Sequence, residues 1–240
     1  MSLSKSTLRE TVIDDGFCIV ESVLDSNNIE LLVQEVALAK NSTFAKQRRN
    51  STYAIRNALL IPEILILAYS QPIISLANTV LNAQARPIKA ILFDKTPQAN
   101  WQVGWHQDLT IAVNKYQPAL GFSGWSKKAG IVHVQPPQEI LEHILTLRIH
   151  LDNCDRYNGA LKVIPGSHRY GKIAVTDIEG IKKSSQDHIC AMQAGDILIM
   201  RPLLLHSSSP STHPSHRRVI HIEYSAMNLP NGLEWCNCLN

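Results

Sequence analysis

The segment Gly104-Trp105-His106-Gln107-Asp108 holds the residues with the sharpest chemistry in this chain. In extended backbone, side chains two apart point to one face, so His106 and Asp108 offer an imidazole and a carboxylate side by side. A third ligand has to come from another strand. His206, which follows the apolar run 202–205 and precedes a serine-rich turn, is placed to supply it. Two histidines and one carboxylate on one face leave open positions on a bound metal, which is the arrangement of oxygen-activating non-haem iron(II). Spacing alone does not decide the pair, because His150-Leu151-Asp152 repeats it. There, Thr146, Arg148, His150 and Asp152 alternate with Leu145, Leu147, Ile149 and Leu151, so the four polar groups share one strand face.

Arg217 stands eleven residues beyond His206. An arginine on a strand beside the one that ends in a metal histidine is suited to hold the far carboxylate of a dicarboxylate through paired N–H bonds, which lysine does less well. The ordinary reading of the pair Arg217-Arg218 is two solvated charges. Arg148 is a stronger commitment, because a buried arginine needs a carboxylate from the cosubstrate, the substrate or the protein, and Asp152 is the nearest acid in sequence. Arg56 and Lys89 are further candidates for carboxylate partners. Lys127 and Lys128 read as solvated loop charges or as attraction for an anionic substrate. His133, His143, His213, His216 and His221 read as surface or partly packed histidines, and His168, in the turn 165–168, as structural. Trp101, Trp105 and Trp125 divide between core packing and pocket walls.

These residues need a scaffold. Residues 26–40 carry apolar side chains at helical spacing, with Asp25 or Ser26 to cap them, and residues 62–82 form a second helical run opened by Pro62. After Pro87 the texture changes to short Ile-, Val- and Leu-rich runs at 87–93, 144–151, 160–164, 188–192, 196–200 and 218–225. Asn158-Gly159, Pro165-Gly166-Ser167 and Ala194-Gly195-Asp196 read as turns of the kind that link antiparallel strands. A mainly β chain, a sandwich or barrel behind an N-terminal helical layer, follows. Residues 110–142 show no sustained period and read as a lid or binding loop.

Composition bounds the rest. At 240 residues, 45% hydrophobic and 18% charged, the chain reads as one globular domain over 1–240, with a helical layer at about 25–85 and a β core at about 87–228. A net charge of +3 without a basic tract argues against a nucleic-acid partner. The first fourteen residues lack a signal-peptide pattern, and no run approaches the roughly 20 apolar residues that span a bilayer. Five cysteines, Cys236-x-Cys238 among them, have no paired metal-finger spacing and fit a reducing, cytoplasmic setting. Nothing marks an interface, so a monomer or weak homodimer is expected.

The ordered set His106-Gln107-Asp108, Asn158-Gly159-Ala160-Leu161, Pro165-Gly166-Ser167-His168, Gly195-Asp196, His206 and Arg217 resembles the phytanoyl-CoA dioxygenase family of iron(II)- and 2-oxoglutarate-dependent oxygenases, over about residues 10–228. The resemblance implies a double-stranded β-helix, a jelly-roll variant with flanking helices. It selects His106 and Asp108 over His150 and Asp152, because the family's metal pair precedes the long loop. It implies His106, Asp108 and His206 as catalytic iron ligands, Arg217 as the anchor of the distal 2-oxoglutarate carboxylate, Ser208 as its helper, and Thr146 and Arg148 as lining of the cosubstrate or substrate pocket. Iron(II), 2-oxoglutarate and dioxygen are the implied cofactors, with ascorbate as a candidate reductant. The implied reaction is hydroxylation of an unactivated C–H bond of a small, anionic or carboxylated metabolite with release of succinate and carbon dioxide, and a carboxylate at 108 favours this over halogenation. The competing readings are a cupin-like metal isomerase or hydrolase that does not use 2-oxoglutarate, and a non-enzymatic ligand-binding β-sandwich.

Overall fold

A computed structural model describes residues 4–39, 45–48, 51–128, 130–213 and 215–236. The chain opens with helix α1 (Lys5–Asp14), whose start is capped by Ser4 Oγ accepting from the Thr7 amide at 3.1 Å, and strand β1 (Phe17–Val20). Helix α2 (Ser26–Ala39) matches its expected span, with Asp25 Oδ1 accepting from the Asn28 amide. A hairpin, β2 (Ala45–Arg48) and β3 (Ser51–Arg56), leads to α3 (Pro62–Tyr69) and α4 (Gln71–Leu81).

Those last two were expected as one helix. They are instead bent by 52° at Ser70, whose backbone is extended. Pro72 has no amide hydrogen for the carbonyl four residues back. That carbonyl belongs to Ala68, and it accepts from the Tyr224 hydroxyl at 2.9 Å. No single helix among the described residues is long and apolar enough to cross a membrane.

The rest is mostly β. Strands β4 (Arg86–Lys95), β5 (Val103–His106), β6 (Ile111–Val113), β7 (Ser123–Lys128) and β8 (Ile131–Gln135) precede α5 (Gln138–Glu142). Strands β9 (Ile144–His150) and β10 (Leu161–Val163) lead to α6 (Ile178–Ser184), and β11 (His188–Cys190), β12 (Ile197–Met200), β13 (His206–Ser208) and β14 (Arg217–Ser225) follow. A seven-stranded sheet runs β1-β12-β9-β14-β4-β3-β2, and a four-stranded sheet runs β11-β10-β13-β5. This is the jelly-roll, double-stranded β-helix arrangement with flanking helices.

Two expectations need correction. Residues 110–142 are not an irregular lid: β6, β8 and β7 form a third antiparallel sheet, followed by α5. Ile111, Val113, Phe122 and Val134 pack there with Leu203, Leu229 and Trp235, and this burial orders strands too short and irregular to show a period. Nor do the three turn motifs close tight hairpins. Asn158-Gly159 and Gly195-Asp196 carry the chain from one sheet to the other, and Gly166 enters a 3-10 turn at Ser167–Tyr170. Gly195 is needed at its turn, since φ is +93° and a Cβ would lie 2.4 Å from the Leu24 carbonyl oxygen.

The large sheet has two unlike faces. Leu145, Leu147 and Ile149 of β9, with Ile220, Ile222 and Tyr224 of β14, pack against α1 to α4 in the main core. The period of two therefore turns Thr146, Arg148, His150, Arg217, His221 and Glu223 toward the interior between the sheets. All six are buried.

Candidate metal centre and cosubstrate pocket

The register between β13 and β5 sets His206 directly opposite His106, with ring centroids 4.2 Å apart. Asp108 follows just beyond β5, its amide donating to the Pro202 carbonyl at 2.9 Å. Its Oδ1 lies 3.9 Å from His106 Nε2 and its Oδ2 3.7 Å from His206 Nε2. Among the described residues this is the one cluster of three metal-ligating groups, with ligand atoms within 4.8 Å of one another. His150 and Asp152 do not form a second: His150 is buried apart from it, and Asp152 is committed to Arg218 through bonds of 2.6 and 2.8 Å.

Both rings are oriented for a cation. Nδ1–H of His106 donates to the Gly104 carbonyl at 2.9 Å and Nδ1–H of His206 to the Leu204 carbonyl at 2.8 Å, so each Nε2 keeps its lone pair toward Asp108. Burial pushes His206 down to about 4, outweighing the pull of Asp108, and keeps it neutral as a ligand must be. Burial works to raise the Asp108 carboxyl, yet His206, His221, His106 and Lys89 together hold it below the usual carboxylate range. Its Oδ2 is nonetheless buried with no hydrogen-bond partner. An orphaned carboxylate oxygen between two imidazole lone pairs fits a divalent cation.

The triad opens into a cavity of about 200 Å³ that is also lined by Phe93, Trp101, Val103, Arg148, Leu161, Ser208, Arg217 and His221. Arg217 starts β14, and its Nη1 donates to the Gly159 carbonyl and to Ser208 Oγ. Ser208 in turn donates to Gly159 O at 2.9 Å and accepts from Lys95 Nζ at 2.7 Å. Arg217 and Ser208 thus stand together in the cavity, as expected. Lys95 is a second cation at that end that sequence reading missed; burial and then Arg217 lower it to about 7. The register Arg217↔Lys95 between β14 and β4 brings it there.

Other expectations divide. Arg148 lines the cavity, but not in an ion pair with Asp152: its Nη1 donates to His221 Nδ1 at 3.0 Å. Thr146 does not line it. At its level the neighbours across β14 and β4 are Glu223 and Lys89, whose 2.5 Å ion pair occupies the interior. Lys89 therefore meets a carboxylate of the protein. Arg56 lies beside Lys89 and His133 in a separate small cleft. His221, read from sequence as an ordinary packed or surface histidine, is a wall of the cavity; its place two and four residues from Glu223 and Arg217, on one strand face, was the available signal. Trp101 is a cavity wall, whereas Trp125 meets Tyr116 edge to face with ring centroids 4.7 Å apart. Lys127 is exposed on β7 and Lys128 half-buried, and neither lines the cavity. His168 is structural, its Nε2 bonded to the Ile13 carbonyl.

Comparison with known proteins agrees with this geometry. A sequence model of the phytanoyl-CoA dioxygenase family matches residues 13–219. The iron/alpha-ketoglutarate-dependent dioxygenase ausU of Aspergillus calidoustus is 26% identical over 237 residues, covering 89% of this chain and 68% of that protein. Among solved structures, the non-heme alpha ketoglutarate dependent carbocyclase SnoK from nogalamycin biosynthesis superposes with a TM-score of 0.73 at 16% identity, covering 94% of this chain and 85% of that one. EctD from S. alaskensis, solved with 2-oxoglutarate and 5-hydroxyectoine, gives 0.73 at 17% identity, covering 93% and 76%. At such identities these structures speak for the fold, and the family match speaks for iron(II), 2-oxoglutarate and oxygenase chemistry. With the family model spanning most of its length, the chain belongs to the phytanoyl-CoA dioxygenase family.

Proposed function

We propose that this oxygenase hydroxylates an unactivated C–H bond of a small metabolite, with His106, Asp108 and His206 as its iron ligands. The observation that carries the reading is one cavity that holds the triad at one side and the Arg217–Ser208 pair at the other. Iron(II) with 2-oxoglutarate and dioxygen supplies the oxidising power, and succinate and carbon dioxide leave.

The protein's part is orientation and exclusion. Arg217 presents a buried guanidinium whose Nε has no partner, which suits it to the distal carboxylate of the cosubstrate. Gly159 O and Ser208 hold that guanidinium in place from the other side. His206 is 4% exposed while the His106 side chain is 40% exposed, so the target carbon approaches from the His106 side. Phe93, Trp101, Val103 and Leu161 supply the apolar part of the cavity wall, against which the body of a small metabolite can pack. With iron bound, the Asp108 carboxylate would fill the position a halide ligand needs, which favours hydroxylation over halogenation.

The test is succinate formation by anaerobically iron-loaded protein given 2-oxoglutarate and air. Slow turnover without the true substrate is expected in the wild type, none in His206→Ala, and a strong loss in Arg217→Lys. Iron-dependent activity that ignores 2-oxoglutarate and survives Arg217→Lys would instead favour the cupin-like reading.

A further inference from the structure

Arg148 is buried, 7% exposed, in the wall of the metal cavity; Asp108, across that cavity, favours its charge from a distance, but among the described residues no acid forms an ion pair with it. Asp152, the acid on its own segment, is bound to Arg218. Glu223 is bound to Lys89. Among the described residues, the Arg148 head makes a hydrogen bond from Nη1–H to His221 Nδ1, and its Nε is buried without a partner. Because a guanidinium only donates, His221 Nδ1 must carry the lone pair, and its Nε2–H then faces Glu223 Oε1 at 3.3 Å. Lys89, Glu223 and His221 thus form a brace that fixes the direction of Arg148 without neutralising it. Phe93 backs the guanidinium, with its ring centroid 5.9 Å away.

The cosubstrate does not resolve this imbalance. Of its two carboxylates, the distal one would go to Arg217 and the near one to the metal, which leaves Arg148 without a carboxylate partner of its own. A buried, braced guanidinium with a free edge is built for a carboxylate. We propose that Arg148 anchors a carboxylate of the substrate, so that the enzyme acts on an acid whose apolar body lies along Phe93, Trp101 and Val103 beside the metal. This rests on the oxygenase reading above.

The test uses the manganese(II)-loaded protein, which does not turn over. Two quantities are measured: 2-oxoglutarate affinity by calorimetry, and the shift in Tm given by hexanoate and octanoate against hexanamide and octanamide, with 2-oxoglutarate present. In the wild type the acids raise Tm and the amides do not. In Arg148→Gln the acid response disappears while 2-oxoglutarate affinity stays within about twofold, and Arg217→Lys shows the opposite pattern. His221→Phe keeps the charge but removes the brace, so it weakens the acid response and spares the cosubstrate; it also serves if Arg148→Gln does not fold. The inference is overturned if Arg148→Gln weakens 2-oxoglutarate about as much as Arg217→Lys does, because Arg148 then belongs to the cosubstrate. Equal effects of acids and amides on the wild type overturn it as well. Failure of the wild-type manganese form to bind 2-oxoglutarate at all removes the oxygenase reading instead, and this inference with it.

Discussion

At the scale of single residues, the interior between the sheets is governed by which charges find partners. Glu223 and Lys89 satisfy each other, Asp152 and Arg218 do likewise, and Asp108 Oδ2 and the Nε atoms of Arg56, Arg148 and Arg217 are buried without a hydrogen-bond partner among the described residues. His133 lies in the small cleft beside Lys89 and Arg56, and burial first, then Lys89, Lys128 and Arg56, push it down to about 4 despite its bond to the Ile131 carbonyl. Since the unfolded chain takes up that proton from the ordinary imidazole value of 6.5 downward and the fold does not until about 4, stability is lost as pH falls through this window. The full linkage is roughly 3 kcal/mol, at 1.36 kcal/mol for each pH unit. His133→Leu should flatten the fall by a comparable amount in urea titrations at pH 7, 5.5 and 4, and a difference between the two proteins that does not change with pH would remove His133 from the account. The metal pair was legible in the sequence as far as its type, because an i, i+2 spacing on extended chain is a local property. The choice between His106 and His150 was not local. It depended on which strand faces β13, and only the ordered family motifs carried that information.

Among the elements, the loop between β9 and β10 matters more than its turn-like sequence suggests. Gly159 adopts φ +80°, and a Cβ there would lie 2.6 Å from the Ser209 carbonyl oxygen and 3.0 Å from Lys95 Nζ. Its own carbonyl accepts from both Arg217 and Ser208. Gly159→Ala should therefore destabilise the fold by about 1–2 kcal/mol and also weaken 2-oxoglutarate binding by about tenfold. Gly195→Ala is strained to a similar degree, but its crowding is against Leu24, so it should lower stability and leave 2-oxoglutarate affinity unchanged in the same calorimetric titration. Strands with strong alternation, such as β9 and β14, were legible to within a residue or two. The sheet of β6, β7 and β8 was not, because its order comes from packing against Leu229, Leu233 and Trp235, about a hundred residues later, and not from any pattern within it.

For the whole molecule, the helical layer and the catalytic sheet are joined by one bond whose logic spans both. Pro72 breaks the helix, the break frees the Ala68 carbonyl, and the Tyr224 hydroxyl on β14 fills it. Tyr224→Phe leaves that buried oxygen unmet and should cost about 1–2 kcal/mol by urea denaturation. It should leave 2-oxoglutarate affinity alone, since Tyr224 faces the helices and Arg217 the cavity; a matching loss of affinity would show that the helices set the site directly. The sheet order has a further consequence in time. β1 pairs with β12, β4 with β14 and β5 with β13, so three of the first eight strands wait for a late one, while β2, β3, β6, β7 and β8 find partners among their near neighbours. A nascent chain on the ribosome that has reached only β10 holds His106 and Asp108 but neither His206 nor the strand that carries Arg217. Iron captured at that stage would sit on two ligands with no cosubstrate clamp beside it. The full set of three ligand groups exists only once β13 has been made, and Arg217 joins it only with β14, so the order of strands along the chain places completion of the centre near the end of synthesis.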